Sequence, residues 1–189
     1  MIIYFEGADG SGKTTLKEKV VDRLMNMSSL TDRYTIVNNI EPYINSNPSS
    51  GVRCSKTDLY LRWKELIDDQ EAIYVIDRSP LSDIVYRAFD EHDVLMTLDD
   101  FTYLIKTTKV INVFCDSDRA EELMKARGDD NPIALAKHRT IRYLYRQAFS
   151  MVPWRIEYDV ARAIDDENYV DMIIFEIVKA TINMTEYVR

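Results

Sequence analysis

The sequence predicts an α/β fold in three layers, with a central parallel sheet of about five strands covered on both faces by helices. Three observations predict it. Short apolar runs alternate along the chain with longer segments of helical period. Two of those runs, AIYVI at 72–76 and VINVF at 110–114, are apolar throughout, as strands buried on both faces must be. A glycine-rich turn, Gly7-Ala8-Asp9-Gly10-Ser11-Gly12, joins the first run directly to the first helical pattern.

Each element follows in order. Residues 1–6 (MIIYFE) form a mostly apolar run of strand length. Residues 15–27 carry Leu16, Val20 and Leu24 four apart, a helical stripe. Residues 34–37 (YTIV) read as a second strand, and 38–51, rich in Asn, Pro and Ser, as a loop of the kind that carries function. Residues 57–68 are helical, with Ser55 or Thr57 as N-cap. The run 72–76 ends at Asp77, and helices over 82–89 and 99–106 follow. The run 110–114 ends near Asp116 and Asp118. Helices over 119–126 and 133–151 flank Arg127-Gly128-Asp129-Asp130-Asn131. A last strand over 156–160 and an amphipathic helix over 166–183 close the chain. No repeat, low-complexity tract or linker interrupts the 189 residues, so one domain spanning 1–189 is expected.

Bulk composition excludes several classes. The chain is 46% hydrophobic and 30% charged, as globular proteins are, and no apolar run approaches membrane-span length. Acidic Glu6 and Asp9 in place of a basic leader argue against a signal peptide. The formal net charge of −8 argues against a nucleic-acid polymer as partner, while leaving room for a local basic cleft. Cys54 and Cys115 are too few for a disulfide framework, so a reducing, cytoplasmic setting is expected. His92 and His138 are not spaced as a metal pair and receive no role.

The chemistry concentrates in Gly7-Ala8-Asp9-Gly10-Ser11-Gly12-Lys13-Thr14, a match to G-x-x-x-x-G-K-[ST] between a strand and a helix. Glycines let backbone N–H groups turn inward on an anion, and the helix adds the positive end of its dipole. Lys13 then reaches the β/γ-phosphates and the Thr14 hydroxyl takes Mg²⁺. Gly7, Asp9, Gly10, Ser11, Gly12, Lys13, Thr14 and Thr15 are the expected contacts to ATP. Asp77, at the end of the third strand, is placed to hold Mg²⁺ or its water, and Arg78 to grip a phosphate. A helix-capping Asp beside a surface Arg is the competing reading of that pair.

Phe5-Glu6-Gly7-Ala8-Asp9-Gly10-Ser11-Gly12-Lys13-Thr14-Thr15 resembles the phosphate loop of thymidylate kinases, including the Asp within the loop. The resemblance implies the P-loop NTPase fold, with Asp9 on the acceptor's sugar 3′-hydroxyl and Arg78 on its 5′-phosphate. It departs at Ser79, where that family carries an aromatic. It departs again at Ile40-Glu41-Pro42-Tyr43, where the family's Arg before E-P is missing; Arg53 or Arg62 are the substitutes. A sister family also fits. Asp77-Arg78-Ser79-Pro80-Leu81-Ser82-Asp83 is similar to the E-R-S-x-x-S-D pattern of deoxynucleoside kinases, and Glu41-Pro42 to their E-P. There Glu41 is the base that deprotonates a 5′-hydroxyl, and Ser82 joins the acceptor site. Both families place an aromatic and an Arg where Tyr60, Arg62 and Trp63 stand, so Trp63 or Tyr60 stacks on a base or else packs the core. Both also carry an arginine lid, here expected over about residues 127–140, with Arg127 the transition-state arginine and Arg119, Arg139 and Arg142 the alternatives. Arg146 reads as part of an exposed face. Arg162 matches an adenine contact. A second lid arginine, usual in deoxynucleoside kinases, is replaced by Asp129.

Taken together, the expectation is an ATP- and Mg²⁺-dependent kinase acting on a deoxynucleoside monophosphate, with thymidylate the first candidate. Lys13, Asp77, Arg78 and Arg127 are its expected catalytic residues. The acceptor is expected to meet Asp9, Glu41, Arg62, Trp63, Arg78 and Ser82, and the metal Thr14 and Asp77. The alternatives are a deoxynucleoside kinase using Glu41, and a module that binds nucleotide without transferring phosphate. The resemblance also implies a homodimer.

Overall fold

The computed structural model describes residues 1–38, 56–89, 96–106, 109–128, 131–152 and 154–186. In chain order the elements are β1 (Ile2–Glu6), α1 (Lys13–Met25), α2 (Ser28–Thr31), β2 (Thr35–Val37), α3 (Lys56–Asp68), β3 (Ala72–Asp77) and α4 (Pro80–Phe89). There follow α5 (Leu98–Lys106), β4 (Val110–Asp116), α6 (Ala120–Ala126), α7 (Pro132–Ser150), β5 (Ile156–Asp159), α8 (Val160–Asp165) and α9 (Glu167–Glu186). The expected five-stranded parallel sheet is present, in the order β2-β3-β1-β4-β5. β1 lies at its centre, with Phe5 level with Asp77 on one side and Val113 on the other.

Alternation along β1 feeds two cores, one on each face. Ile3 and Phe5 pack with Val75 and Val113 against Leu16, Val20 and Leu24 of α1 and Ile173 and Ile177 of α9. Ile2 and Tyr4 face the other way, onto Trp63 of α3, Leu81 and Val85 of α4, Phe101 of α5 and Ile141 and Tyr145 of α7. Burial of each such large side chain contributes on the order of 2 kcal/mol. Because both faces are covered, β1 is apolar without a break until Glu6.

Local signals place the helix ends. Asn131 caps α7 by accepting from the Ile133 amide at 2.9 Å, and Pro132 occupies the first turn, where its missing N–H costs nothing. Val160, read as the last residue of a strand, instead opens α8, because the Asp159 side chain accepts from the Ala161 amide at 2.9 Å and turns the chain. The short helices α2 and α8 are too brief to show a period. The expected loop at 38–51 falls almost wholly outside the described residues. Among those described, no helix is long and apolar enough to cross a membrane.

One polar contact fixes β1 against the start of α4. Glu6 is fully buried at the end of β1. Its Oε1 accepts from the Ser79 amide (2.6 Å), the Ser79 hydroxyl (2.6 Å) and the Ser82 amide (3.2 Å), and its Oε2 accepts from the Ser82 hydroxyl (2.7 Å). A buried carboxylate is tolerable only with such a shell, and a buried donor shell only with its carboxylate. Replacing Glu6 by Ala strands those donors and is expected to lower unfolding free energy by about 3 kcal/mol. Urea denaturation checks this, and a loss below about 1 kcal/mol would contradict a structural role for the carboxylate.

Candidate active site

The site is built on the sheet's carboxyl edge. The exit of β1 turns into α1 on one face and that of β3 into α4 on the other, which opens a crevice between them. The loop from Gly7 to Gly12 lies in that crevice. Gly7 has φ +143°, and a Cβ there would sit 2.0 Å from the Cys115 carbonyl oxygen, so only glycine lets the loop pass β4. Gly12, at φ +78°, caps α1 in a left-handed conformation that leaves the first amides of the helix pointing out of its end. The first turn of α1 has no acidic residue to compete with an anion.

Lys13 is buried, and its ammonium lies back along the loop, donating to the Ala8 carbonyl (2.8 Å) and the Ser11 hydroxyl (3.5 Å). Burial, and then repulsion from Arg78, lower its pKa, against the pull of Asp77, Asp9 and Glu6. A cation held in this way is under-compensated and suited to an anionic partner. Thr14 is exposed beside it, and its hydroxyl donates to Asp77 Oδ2 at 2.8 Å. Thr15, also exposed, follows on the first turn of α1. Thr14 and Asp77 thus offer two adjacent hard oxygen donors, a set that suits Mg²⁺ sharing its shell with phosphate oxygens and water. Among the described residues no group of three His, Cys, Asp or Glu side chains is arranged for a metal by itself.

Arg78 is the non-glycine residue with positive φ, at +74°, among the described residues. That conformation costs on the order of 1–3 kcal/mol. It is held by the Arg78 amide donating to the Phe5 carbonyl (2.9 Å) and by the Ser79 amide on Glu6. The result is a guanidinium directed at Asp9 of the loop and at α4 and α7. Its Nη1 donates to Tyr145 Oη (3.1 Å) and Ser82 Oγ (3.3 Å), its Nη2 pairs with Asp9 Oδ1, and it lies over the Tyr86 ring at 5.2 Å. The Ser82 hydroxyl proton goes to Glu6, so the Tyr145 hydroxyl must donate to Ser82 Oγ, 2.7 Å away. Burial, and then the nearby Glu6, push the Tyr145 phenol well above its ordinary range, which keeps that proton in place. Ser82 is therefore not an open acceptor contact, as expected from sequence. It is buried and engaged with Glu6, Tyr145 and Arg78.

Of the candidate lid arginines, Arg127 reaches the loop. Its Nη1 lies 3.2 Å from where a Cβ on Gly10 would stand, and the residue is otherwise exposed. The alternatives are engaged elsewhere. Arg119 bonds to Glu122 (3.0 Å) and Asp165 (2.8 Å), and Arg139 pairs with Glu121. Arg142 meets Asp116 (2.5 Å) and Asp118 (2.9 Å), and Arg146 meets the same two carboxylates at 2.5 and 2.7 Å. These last two pairs dock α7 onto the end of β4. Arg162 lies over the Tyr169 ring at 4.3 Å.

On α3 the structure corrects one expectation. Trp63 is fully buried, with its ring set edge-on to Tyr4 at 6.3 Å, and offers no face to a base. Its large apolar ring fills the core beneath the crevice, which a short aromatic signature in the sequence cannot distinguish from a stacking platform. Tyr60 is 38% exposed and Arg62 half-buried on the same helix. Glu41 and Arg53 lie outside the described residues.

Sequence reasoning missed two residues. Glu6 shows only as an acid closing an apolar strand. His138, on the buried face of α7, places Nε2 3.0 Å from the Asp9 carbonyl oxygen. A cavity of about 400 Å³ lies beside the phosphate loop rather than in it, lined by Phe114, Asp116, Arg146, Phe149, Arg155 and Tyr169 among others, and by no residue of the loop.

No protein-family model matches the sequence, and comparison with curated proteins finds no significant match. Solved structures do match. The YorR protein of Bacillus subtilis, solved in complex with phosphorylated GDP, is similar at 22% identity and a TM-score of 0.62, over 95% of this chain and 97% of that one. Thymidylate kinase from Candida albicans is similar at 19% identity and a TM-score of 0.56, over 97% and 92%. Thymidylate kinase from Ehrlichia chaffeensis is similar at 15% identity and 0.52, over 96% and 98%. The chain has the P-loop fold of the thymidylate kinase-like kinases.

Proposed function

We propose that this chain is a kinase that transfers the γ-phosphoryl group of ATP to a deoxynucleoside monophosphate, with thymidylate the first acceptor to test. One observation carries the reading. A strained arginine, Arg78, is held against Asp9 of the phosphate loop, while a second arginine, Arg127, lies against Gly10 of the same loop. Two arginines at neighbouring positions of a triphosphate cradle suit a reaction between two phosphates. The fold shared with two thymidylate kinases and with YorR supports the same class.

In this reading the loop amides and Lys13 hold the donor's β- and γ-phosphates, and Thr14 and Asp77 hold Mg²⁺. Bound Mg²⁺ would neutralise charge on the phosphate oxygens. Arg78 exchanges Asp9 for the acceptor's phosphate, and Asp9 turns to the sugar hydroxyl. Arg127 sits where charge builds on the transferring group. A phosphate monoester, with a second pKa near 6, is already ionised at neutral pH, so this chain needs no general base. Positioning and charge stabilisation suffice. The segment from about 127 to 140 acts as the lid that brings Arg127 in.

The likeness of Asp77-Arg78-Ser79-Pro80-Leu81-Ser82-Asp83 to deoxynucleoside kinases is weaker support than it looks from sequence. Both serines of the pattern are engaged with Glu6 and hold the fold. A nucleoside acceptor would further require Glu41 as base. A product screen with ATP, Mg²⁺ and a panel of nucleosides and nucleoside monophosphates is expected to give diphosphate from a deoxynucleoside monophosphate. Glu41→Gln is expected to leave that activity within a few-fold. Phosphorylation of nucleosides alone, lost in Glu41→Gln, would replace this reading with the nucleoside one, and ATP turnover indifferent to every acceptor would favour a non-catalytic module. Arg127→Ala is expected to lower turnover about 10³-fold while changing the Kd for ATP much less. A drop of only a few-fold would move the transition-state role to another arginine.

A further inference from the structure

The ion pair at the heart of the acceptor site is gripped at both ends by one helix. The buried face of α7 carries Leu135, His138, Ile141 and Tyr145. Two of these are polar, seven residues and therefore about 10 Å apart along one face. His138 holds the main chain of Asp9, with Nε2 at 3.0 Å from its carbonyl oxygen, and Tyr145 holds the guanidinium of Arg78 at 3.1 Å. Asp9 and Arg78 themselves are joined side chain to side chain. Neither contact is a solvated accident: His138 is 7% exposed and Tyr145 fully buried.

The chemistry of the His138 contact is fixed by its partner. A carbonyl oxygen only accepts, so Nε2 must carry the proton. Nδ1 is buried with no hydrogen-bond partner among the described residues, so the imidazole's one protein bond is the one to Asp9. A buried polar ring in the middle of an apolar helix face, where leucine would pack without desolvation cost, calls for a reason. The Asp9 carbonyl supplies it. Asp9 has an exposed side chain, and it lies in a loop whose flanking glycines, Gly7 and Gly10, add no side-chain contacts of their own. Without His138 the loop segment carrying Asp9 has no described side-chain anchor on the α7 side.

We propose that α7 gauges the acceptor site: His138 and Tyr145 are positioning residues that set the distance between Asp9 and Arg78, and hence where the acceptor's sugar and phosphate must lie. This rests on the monophosphate reading above. It makes acceptor recognition a property of α7, the helix that follows Arg127, and not of the phosphate loop and β3 alone. The residues touch no reacting atom. Their loss acts first on the Asp9–Arg78 pair and so on the acceptor, and less on Lys13 and Thr14, which neither of them contacts.

The experiment is steady-state kinetics on the whole chain, varying the acceptor at saturating ATP and ATP at saturating acceptor. His138→Leu is expected to raise the acceptor KM about 10-fold, the size of one hydrogen bond to a group beside an ion pair, with the KM for ATP within about two-fold. His138→Gln, whose carboxamide N–H can donate from a similar place, is expected to recover most of that loss. Tyr145→Phe is expected to raise the acceptor KM in the same selective way. Equal effects on both substrates, or His138→Leu and His138→Gln behaving alike, would overturn the inference. If His138→Leu fails to fold, a Tyr145→Phe enzyme with unchanged acceptor KM overturns it equally. Long-range ¹H–¹⁵N correlation of the His138 ring, assigned by loss of its signals in His138→Gln, is expected to show the Nε2–H tautomer. An Nδ1–H tautomer would break the contact and the inference with it, whatever the turnover. A wild type that phosphorylates no acceptor overturns the function reading instead, and the two failures are therefore distinct.

Discussion

The carboxylate of Glu6 is fully buried, and the geometry of the site depends on how it is satisfied. A strand that is apolar on both faces has no use for an acid at its end unless donors are brought to it. Ser79 and Ser82 bring theirs from the first turn of α4. To do so the chain must reverse immediately after β3, and the residue that absorbs the reversal is Arg78, at φ +74°. The strain of about 1–3 kcal/mol at Arg78 is comparable with what a few charge-assisted hydrogen bonds contribute, so the Glu6 shell is sufficient to maintain it. The arginine at this strand end is thereby directed at Asp9, Ser82 and Tyr145. From that point Asp9, Tyr145 and, through Asp9, His138 all take their places.

The same constraint explains how an acidic protein can offer cations to a ligand at this crevice. The formal charge is −8, but the basic groups nearest the loop are arranged by contacts that differ in kind. Lys13 is stored against the Ala8 carbonyl, Arg78 against a carboxylate that is itself 73% exposed, and Arg127 over the bare backbone of Gly10. The Asp9 carboxylate, being exposed, is one that a phosphate can displace at small cost. The arginines of α7 differ. Arg142 and Asp116 are both largely buried, and Arg146 shares the same carboxylates, so this cluster holds the helix to β4 and is costly to open. Storage on weak partners and anchorage on strong ones separates the cations that can move to a ligand from those that keep the frame.

How much of this is legible in the sequence depends on whether the cause is local. The glycine loop, the apolar strands and the helical stripes are set by residue type and spacing, and they stand where expected. Element ends shift by one or two residues wherever a cap decides them, as Asp159 does at α8. Ser82 and Trp63 were both candidates on pattern, yet pattern cannot say which neighbour a side chain meets. Ser82 meets Glu6, 76 positions away in the chain, and Trp63 meets Tyr4. His138 has no signature at all, since a histidine on an apolar stripe reads as core until the carbonyl opposite it is known. Long-range partners are what a single sequence withholds, and at this site they determine which side chains face the crevice.

On the function proposed above, charge accounting favours a phosphate as the acceptor's leading group. In the ligand-free arrangement Arg78 and Asp9 neutralise each other. A nucleoside brings no charge, so binding it would leave that pair in place and Asp9 unable to reach a sugar hydroxyl without abandoning its arginine. A monophosphate dianion is a better partner for a planar guanidinium than a single exposed carboxylate, and it can take the fork in bidentate fashion. In that reading the exchange would free Asp9 for the sugar with no net loss of pairing for Arg78. Recognition of phosphate and of sugar would then become one event, and a ligand lacking the phosphate could reach Asp9 only by breaking the pair without replacing it.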